Sequence, residues 1–139
     1  VDPADLEEQR QIACQKITHA MMAYPQMVSG PGQLDTILME VMKGRLIAKG
    51  GAEGYQLIGI LPGAISEGSR GIGIALKIGD GDPSRRATQR VIVEVLKSLG
   101  FGGEMESDAY ASLNQPILRN HRGIEIGEVR LARPIQFFS

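Results

Sequence analysis

The sequence has only one cysteine, Cys14, so no disulfide bond can form within the chain. This is compatible with a reducing compartment, and we expect a cytoplasmic protein. One cysteine and two widely separated histidines, His19 and His121, also lack the close ligand spacing that zinc sites require. We therefore expect no metal site and no cofactor held by this sequence alone.

Long apolar runs and an excess of basic residues are absent as well. No run approaches the ~18 apolar residues of a membrane-spanning helix. Lysine and arginine number 15 against 16 aspartate and glutamate residues, and the two signs are interspersed along the chain. Nucleic acids and anionic membranes attract clustered basic residues, so we expect neither as a partner.

Glycine, in contrast, is abundant, with 18 residues that mostly separate short apolar runs. Glycines in such positions indicate tight turns and close backbone approaches. The length of 139 residues suits a single domain over residues 1–139 with a modest core.

Helical spacing is clearest after residue 33, where a buried stripe is predicted with Asp35 near the positive end of the helix dipole. The members of this stripe are Leu34, Ile37, Leu38, Val41 and Met42. An earlier helix is predicted from the capping pair Asp2-Pro3 to Pro25. Its looser stripe consists of Leu6, Ala13, Ile17, Ala20, Met21 and Tyr24. A later helix is predicted after Asp82, which is placed as its N-cap.

Residues 45–51, 55–61 and 71–78 are predicted as β-strands. In the second strand, Gln56, Ile58 and Ile60 share one face. Ala52-Glu53-Gly54 leaves room only for a hairpin turn, so the strands form an antiparallel meander. A last strand is predicted over residues 124–131. The fold class is therefore α/β of the α+β type, an antiparallel sheet with packed helices.

Lys49 ends the first predicted strand and is followed directly by Gly50 and Gly51. The two glycines remove side chains from the strand end, which would let a ligand lie against the backbone. A lysine with a half-buried stem gives up its proton more readily, and it could then accept a proton from a serine or stabilise an oxyanion. The pattern equally fits an ordinary lysine at a strand end. Glu53 could shape the same site or be only a solvent-facing turn residue.

The stretch Lys49-Gly50-Gly51-Ala52-Glu53-Gly54-Tyr55 resembles the Lys-Thr-Gly element of penicillin-binding proteins, serine β-lactamases and related glutaminases. Further blocks, in the same order, resemble the C-terminal part of the bacterial L-asparaginase II family. These blocks are Met22-Ala23-Tyr24-Pro25, Val28-Ser29-Gly30, Asp35-Thr36, residues 44–54, Ile74-Ala75-Leu76-Lys77-Ile78, Asp80-Gly81-Asp82, Arg119-Asn120-His121-Arg122-Gly123 and Gly127-Glu128-Val129-Arg130. Together they are spread over most of the chain, from residue 22 to residue 130.

This resemblance implies an amidohydrolase that converts L-asparagine to L-aspartate and ammonia through a serine acyl-enzyme. Lys49 would match the strand lysine of the family, which pairs with a second serine to move protons. Gly50, Gly51 and Glu53 would shape the strand end that receives the substrate. The resemblance also implies a fold similar to the C-terminal part of the serine β-lactamase and glutaminase fold. Some relatives bind zinc through cysteines in the first part of the chain.

The sequence departs from the implied pattern in two ways. Gly50 stands where the wider superfamily has a serine or threonine, and no serine is followed by a lysine three residues later. A Ser-x-x-Lys nucleophile and any zinc ligands would then lie outside this sequence. We therefore expect a C-terminal fragment of a longer asparaginase-like protein, inactive alone. Its uncovered apolar surface would favour homo-oligomers.

Two alternatives stay open. The chain could be a non-enzymatic module that binds a small ligand or a protein. The basic cluster of Arg119, His121 and Arg122 could either make turn hydrogen bonds and surface ion pairs or bind an anion.

Overall fold

A computed structural model describes residues 5–83, 85–104, 108–111 and 117–137. These residues form two compact units. The first comprises the chain up to Gly50 together with Gln56–Ala75. The second comprises Gly51–Tyr55 together with the chain from Leu76 onward. The expected capping pair Asp2-Pro3 lies outside the described residues.

Helix α1 (Glu8–Ala23) of the first unit buries none of its residues. The predicted helix before Pro25 is thus present, but its loose apolar stripe is not buried, and Ile17 is 59% exposed. Two members of the expected stripe are the alanines Ala13 and Ala20, and an alanine buries little apolar area. The helix consequently lacks an apolar side strong enough to form a core face.

Pro25 ends α1, as expected, but it also begins a second helix, α2 (Pro25–Ser29), that the pattern did not predict. Proline is tolerated at the first helical position because its missing N–H would have no partner there. Gly30 follows α2 with a φ of 93°, a conformation that glycine adopts without strain.

Helix α3 (Leu34–Met42) confirms the clearest helical pattern in the sequence. Its buried apolar side chains are Leu34, Ile37, Leu38, Met39 and Met42. The helix packs against α2 and against the first strand of the sheet. It ends at Lys43, which has a left-handed φ of 47°, and Gly44 continues the turn with a φ of 81°.

Strands β1 (Leu46–Gly50), β2 (Tyr55–Ile60) and β3 (Ile72–Lys77) form an antiparallel sheet in the order β1-β2-β3. This confirms the predicted meander and the α+β fold class. The pairing of β1 with β2 runs from Leu46 opposite Ile60 to Gly50 opposite Gln56. The buried positions of these two strands are Leu46, Ala48, Gly50, Gln56, Ile58 and Ile60. Gln56 is the polar exception on this face.

The second unit contains helix α4 (Arg86–Ser98), the short helix α5 (Asp108–Ala111), and a hairpin of β4 (Ile117–Arg119) and β5 (Glu125–Glu128). Strand β5 lies inside the predicted last strand, whereas α5 and β4 were not predicted. The buried side chains of α4 and beyond are Thr88, Ile92, Val93, Leu96, Phe101 and Tyr110. None of the described helices is long and apolar enough to cross a membrane.

Asp82 caps α4 from farther away than expected. The N-cap position is occupied by Arg85, with a left-handed φ of 56°, and not by Asp82. The carboxylate Oδ2 of Asp82 nevertheless accepts hydrogen bonds from the Thr88 amide at 2.7 Å and the Thr88 hydroxyl at 2.8 Å. Thr88 is the third helical residue, so one of the unpaired amides at the helix start is satisfied.

The charge of Asp82 matters for stability. Burial alone raises the pKa of this carboxyl, but the hydrogen bonds from Thr88 and Ala87 outweigh it, with help from Arg86, and the net pKa is lowered. The folded pKa therefore lies below the ordinary value of 3.8. At pH values above 3.8, the ordinary pKa, the charged carboxylate stabilises the fold. This stabilisation is lost as the pH falls through the lower pKa of the folded state.

We expect Asp82→Asn to lower the free energy of unfolding by about 1–2 kcal/mol at neutral pH, because the helix start loses a charged acceptor. Asparagine tolerates the positive φ of 36° at this position, so the loss reflects the carboxylate and not backbone strain. Urea unfolding of both proteins at pH 7 and about pH 3 measures the effect, and the difference should shrink at the lower pH. Thr88→Val removes only the hydroxyl donor, so it should lower the free energy of unfolding by less than Asp82→Asn does. If Asp82→Asn lowers the free energy of unfolding equally at both pH values, the charge of Asp82 is not what stabilises the helix start.

Candidate functional site

Lys49 lies near the end of β1, opposite Leu57 of β2, and its side chain is exposed. The expectation of a half-buried stem is wrong, because strand alternation turns Ala48 and Gly50 to the core and Lys49 away from it. The Lys49 Nζ donates a hydrogen bond to the carbonyl oxygen of the next residue, Gly50, at 2.6 Å. The amine is thus accessible to a reaction partner but held against its own strand.

Gly50 is buried, and both of its backbone polar groups are engaged. Its carbonyl accepts from Lys49, and its amide donates to the Oδ2 of Asp35 at 2.7 Å. The sequence suggested that Gly50 opens the strand to a ligand. In this structure its amide is directed into a buried carboxylate, and its part in substrate binding stays a prediction.

Asp35 is the residue that sequence reasoning underrated. It lies in the first turn of α3 and is fully buried. Its Oδ2 accepts from Gly50, and its Oδ1 accepts from the Nε2 of Gln56 at 2.7 Å. Hydrogen bonds to charged groups contribute roughly 1.5–3 kcal/mol each. The helix N-terminus adds a favourable dipole, so the buried charge is compensated.

Gln56 completes this buried cluster. Its Nε2 also donates to the carbonyl of Leu57 at 3.2 Å, while its Oε1 has no hydrogen-bond partner among the described residues. The sequence carried a signal for the cluster: Gln56 is a polar residue on the strand face that it shares with Ile58 and Ile60. A buried amide on an apolar face requires a polar partner, and Asp35 provides it.

The hairpin after β1 contains the other predicted site residues. The Gly51 amide donates to the Tyr55 carbonyl at 2.8 Å and closes the turn. Glu53 adopts a left-handed φ of 57° and exposes 83% of its side chain. The Lys77 Nζ donates to the Glu53 carbonyl and lies 3.8 Å from its carboxylate. An ion pair this exposed contributes little stability, so the observed contacts of Glu53 are those of a turn residue.

Gly54 is the position in this hairpin that admits no side chain. It has a φ of 67°, and its carbonyl accepts from the Ile78 amide at 3.0 Å. A β-carbon built on Gly54 would lie 2.9 Å from the Ile78 Cβ and 3.1 Å from the backbone of Gly81. The turn is therefore pressed against the segment that follows β3.

In the basic cluster of the β4–β5 turn, the Arg119 side chain is occupied by local contacts. The Arg119 guanidinium donates to the Gly123 carbonyl at 2.9 Å and to the Glu125 carboxylate at 2.5 Å. The Asn120 Oδ1 accepts from the amides of Arg122 and Ile124, which is the pattern of an Asx turn. For Arg119, the interpretation as a turn and ion-pair residue is therefore confirmed.

A cavity of about 590 Å³ lies in the first unit, away from Lys49. Its lining includes Tyr24, Met27, Glu40 and Lys43, so it adjoins the C-terminal end of α3, whereas Asp35 lies at the N-terminal end. Within the part of the chain that the structure describes, no group of three or more potential metal ligands occurs.

The family model described as L-asparaginase II matches residues 2–131, which is nearly the whole chain. A search of curated proteins finds no match.

We expect Gly54→Ala to lower the free energy of unfolding by about 2–4 kcal/mol, because it combines a disfavoured φ with overpacking. Gly63→Ala is the matched control, since Gly63 has a similar φ of 78° but no atom within 4 Å of the place that an added β-carbon would occupy. It should cost about 1–2 kcal/mol, the backbone part alone. Urea unfolding of the wild-type protein, Gly54→Ala and Gly63→Ala measures both losses of stability. Equal losses for the two variants would show that the contacts with Ile78 and Gly81 do not constrain the turn.

Proposed function

Because the chain belongs to the L-asparaginase II family, we propose that it is the lysine-bearing part of an amidohydrolase that converts L-asparagine to L-aspartate and ammonia. The observation that carries this proposal is Lys49 itself. Its side chain is exposed at the end of β1, and the next two positions are the glycines Gly50 and Gly51. A substrate can approach the exposed amine from solvent.

In the proposed reaction a serine hydroxyl attacks the side-chain amide carbon of asparagine. Lys49, with its amine in the neutral form, pairs with a second serine. The pair takes the hydroxyl proton and delivers it to the departing nitrogen, so that the C–N bond breaks and ammonia leaves. Water then attacks the resulting ester, gives its proton back to the serine oxygen, and releases aspartate. The hydrogen bond from the Lys49 Nζ to the Gly50 carbonyl keeps the amine at the strand end between these steps.

We propose that the nucleophilic serine comes from a segment outside this sequence. None of the serines in the chain precedes a lysine by three residues. Exposed apolar side chains support a missing covering segment or a second copy of the chain. Ile17 on α1 is 59% exposed, Met27 on α2 is 87% exposed, and Ile126 on β5 is 64% exposed. Self-association of this chain is part of the proposal, because it would cover these side chains.

The proposal extends to the superfamily, the source, the cellular location and the zinc of the complete enzyme. The Lys-Gly-Gly strand end and the antiparallel meander support a relationship to the serine β-lactamases and glutaminases. A bacterial source belongs to the same proposal and rests on the resemblance to the bacterial family. Cys14 is a free thiol, which fits the proposed cytoplasmic location. If zinc assists the complete enzyme, its ligands come from the same outside segment as the serine, because the described residues offer no suitable cluster.

The purified chain alone should release no ammonia from asparagine, because removing the nucleophile leaves only binding and proton-transfer groups. Activity should appear when the chain is joined to, or mixed with, a segment from a family member that carries Ser-x-x-Lys. In that complemented protein, Lys49→Ala should lower kcat about 10³-fold or more, as loss of a residue in a catalytic unit does. Ammonia release measures both results.

Lys16→Ala is the matched control, because Lys16 is an exposed lysine of α1 outside the proposed site. It should retain full activity. Lys49-dependent turnover by the chain alone would overturn the proposal of an outside nucleophile. Full activity of the complemented Lys49→Ala protein would overturn the catalytic role of Lys49.

A further inference from the structure

The buried cluster of Asp35 and Gln56 is directly connected to the proposed catalytic lysine. Gly50 is the connecting residue: its amide donates to Asp35 at 2.7 Å, and its carbonyl accepts from the Lys49 Nζ at 2.6 Å. Asp35 has no exposed surface and does not touch solvent, so it can act on the reaction only through its neighbours.

We propose that Asp35 is a positioning residue, which fixes the Lys49 amine by anchoring Gly50 at the end of β1. The proposal rests on the catalytic role assigned to Lys49 above. Asp35 itself transfers no proton and contacts no substrate.

The strand end needs such an anchor because of its composition. Gly50, Gly51 and Gly54 are three glycines within five residues, and glycine loses more backbone freedom on folding than any other residue. Strand β1 also lies at the edge of the described sheet, with β2 on one side only. A bond to a buried carboxylate is stronger than a bond between neutral groups, so it restrains Gly50 where a second strand is absent.

The position of Asp35 is itself restrained from two sides. It lies in the first turn of α3, which packs against β1, and the Gln56 amide holds its second oxygen. Gln56 is the direct partner of Gly50 in the β1–β2 pairing. One carboxylate thus connects both members of a cross-strand pair to the helix, which sets where the strand ends and where the Lys49 amine lies.

The reactivity of the Lys49 amine tests this inference without any asparagine. Trace acetylation of the folded full chain with acetic anhydride, read by mass spectrometry, gives the labelling rate of Lys49 relative to Lys16. Asp35→Ala removes both acceptor oxygens, so neither the Gly50 amide nor the Gln56 Nε2 keeps its carboxylate partner. Gly50 is then released, and the Lys49 rate should rise about three- to tenfold, as expected when one hydrogen bond holding the amine is lost.

A rescue variant separates positioning from a general loss of stability. In Asp35→Asn/Gln56→Glu, the asparagine oxygen accepts from Gly50 and its amide donates to the new glutamate, so both contacts of the cluster are restored. The Lys49 labelling rate should return to within about twofold of the wild-type rate. Asp5→Asn removes an exposed carboxylate as the matched control and should leave the rate unchanged.

Each outcome decides the matter, provided that circular dichroism shows which variants are folded. A folded Asp35→Ala protein with the wild-type Lys49 rate overturns the proposal. If Asp35→Ala does not fold, the double variant alone decides: a rate within twofold supports the proposal, and a larger change or an unfolded protein overturns it. Ammonia release by the complemented enzyme is a separate measurement, so failure of the asparaginase assignment leaves the labelling result interpretable.

Discussion

The carboxylate of Asp35 is fully buried, and a buried charge is tolerated only where donors and dipoles surround it. Here the donors are the Gly50 amide and the Gln56 side chain, and the dipole is the N-terminus of α3. Because these groups belong to a helix and two strands, one ionised side chain connects three elements of the first unit. The direction of the β1 end, and with it the place of Lys49, depends on this connection.

The local elements near the site could be predicted from sequence because their signals are strong and local. The stripe of α3, the strand alternation and the turn at Ala52-Glu53-Gly54 each depend on neighbours within a few residues. The spacing of α1 carries no comparable signal for a buried face, because two of its apolar positions are alanines. Asp35 was placed near the helix start correctly, but its role depends on Gln56, twenty-one residues later, which no periodicity connects to it.

The candidate site shows the same division. Lys49 and its glycines stand out as a sequence pattern, yet the pattern suggested a half-buried lysine and a ligand-facing Gly50. The structure instead exposes Lys49 and turns the Gly50 amide inward. The strand alternation of β1 already determines both outcomes, since residues 48 and 50 must share the buried face if Lys49 is exposed. The face of β1 on which a residue lies therefore limits the role that it can have in the site.

The turn at Gly54 has a consequence for how this sequence can change over generations. A β-carbon at that position would meet Ile78 and the Gly81 backbone. Every amino acid reached from a glycine codon by a single base substitution carries a β-carbon. Drift at this codon is therefore confined to silent third-base changes unless the segment after β3 changes first. In the hairpin that follows Lys49, Gly54 can be replaced only together with a change in the segment that contains Ile78 and Gly81.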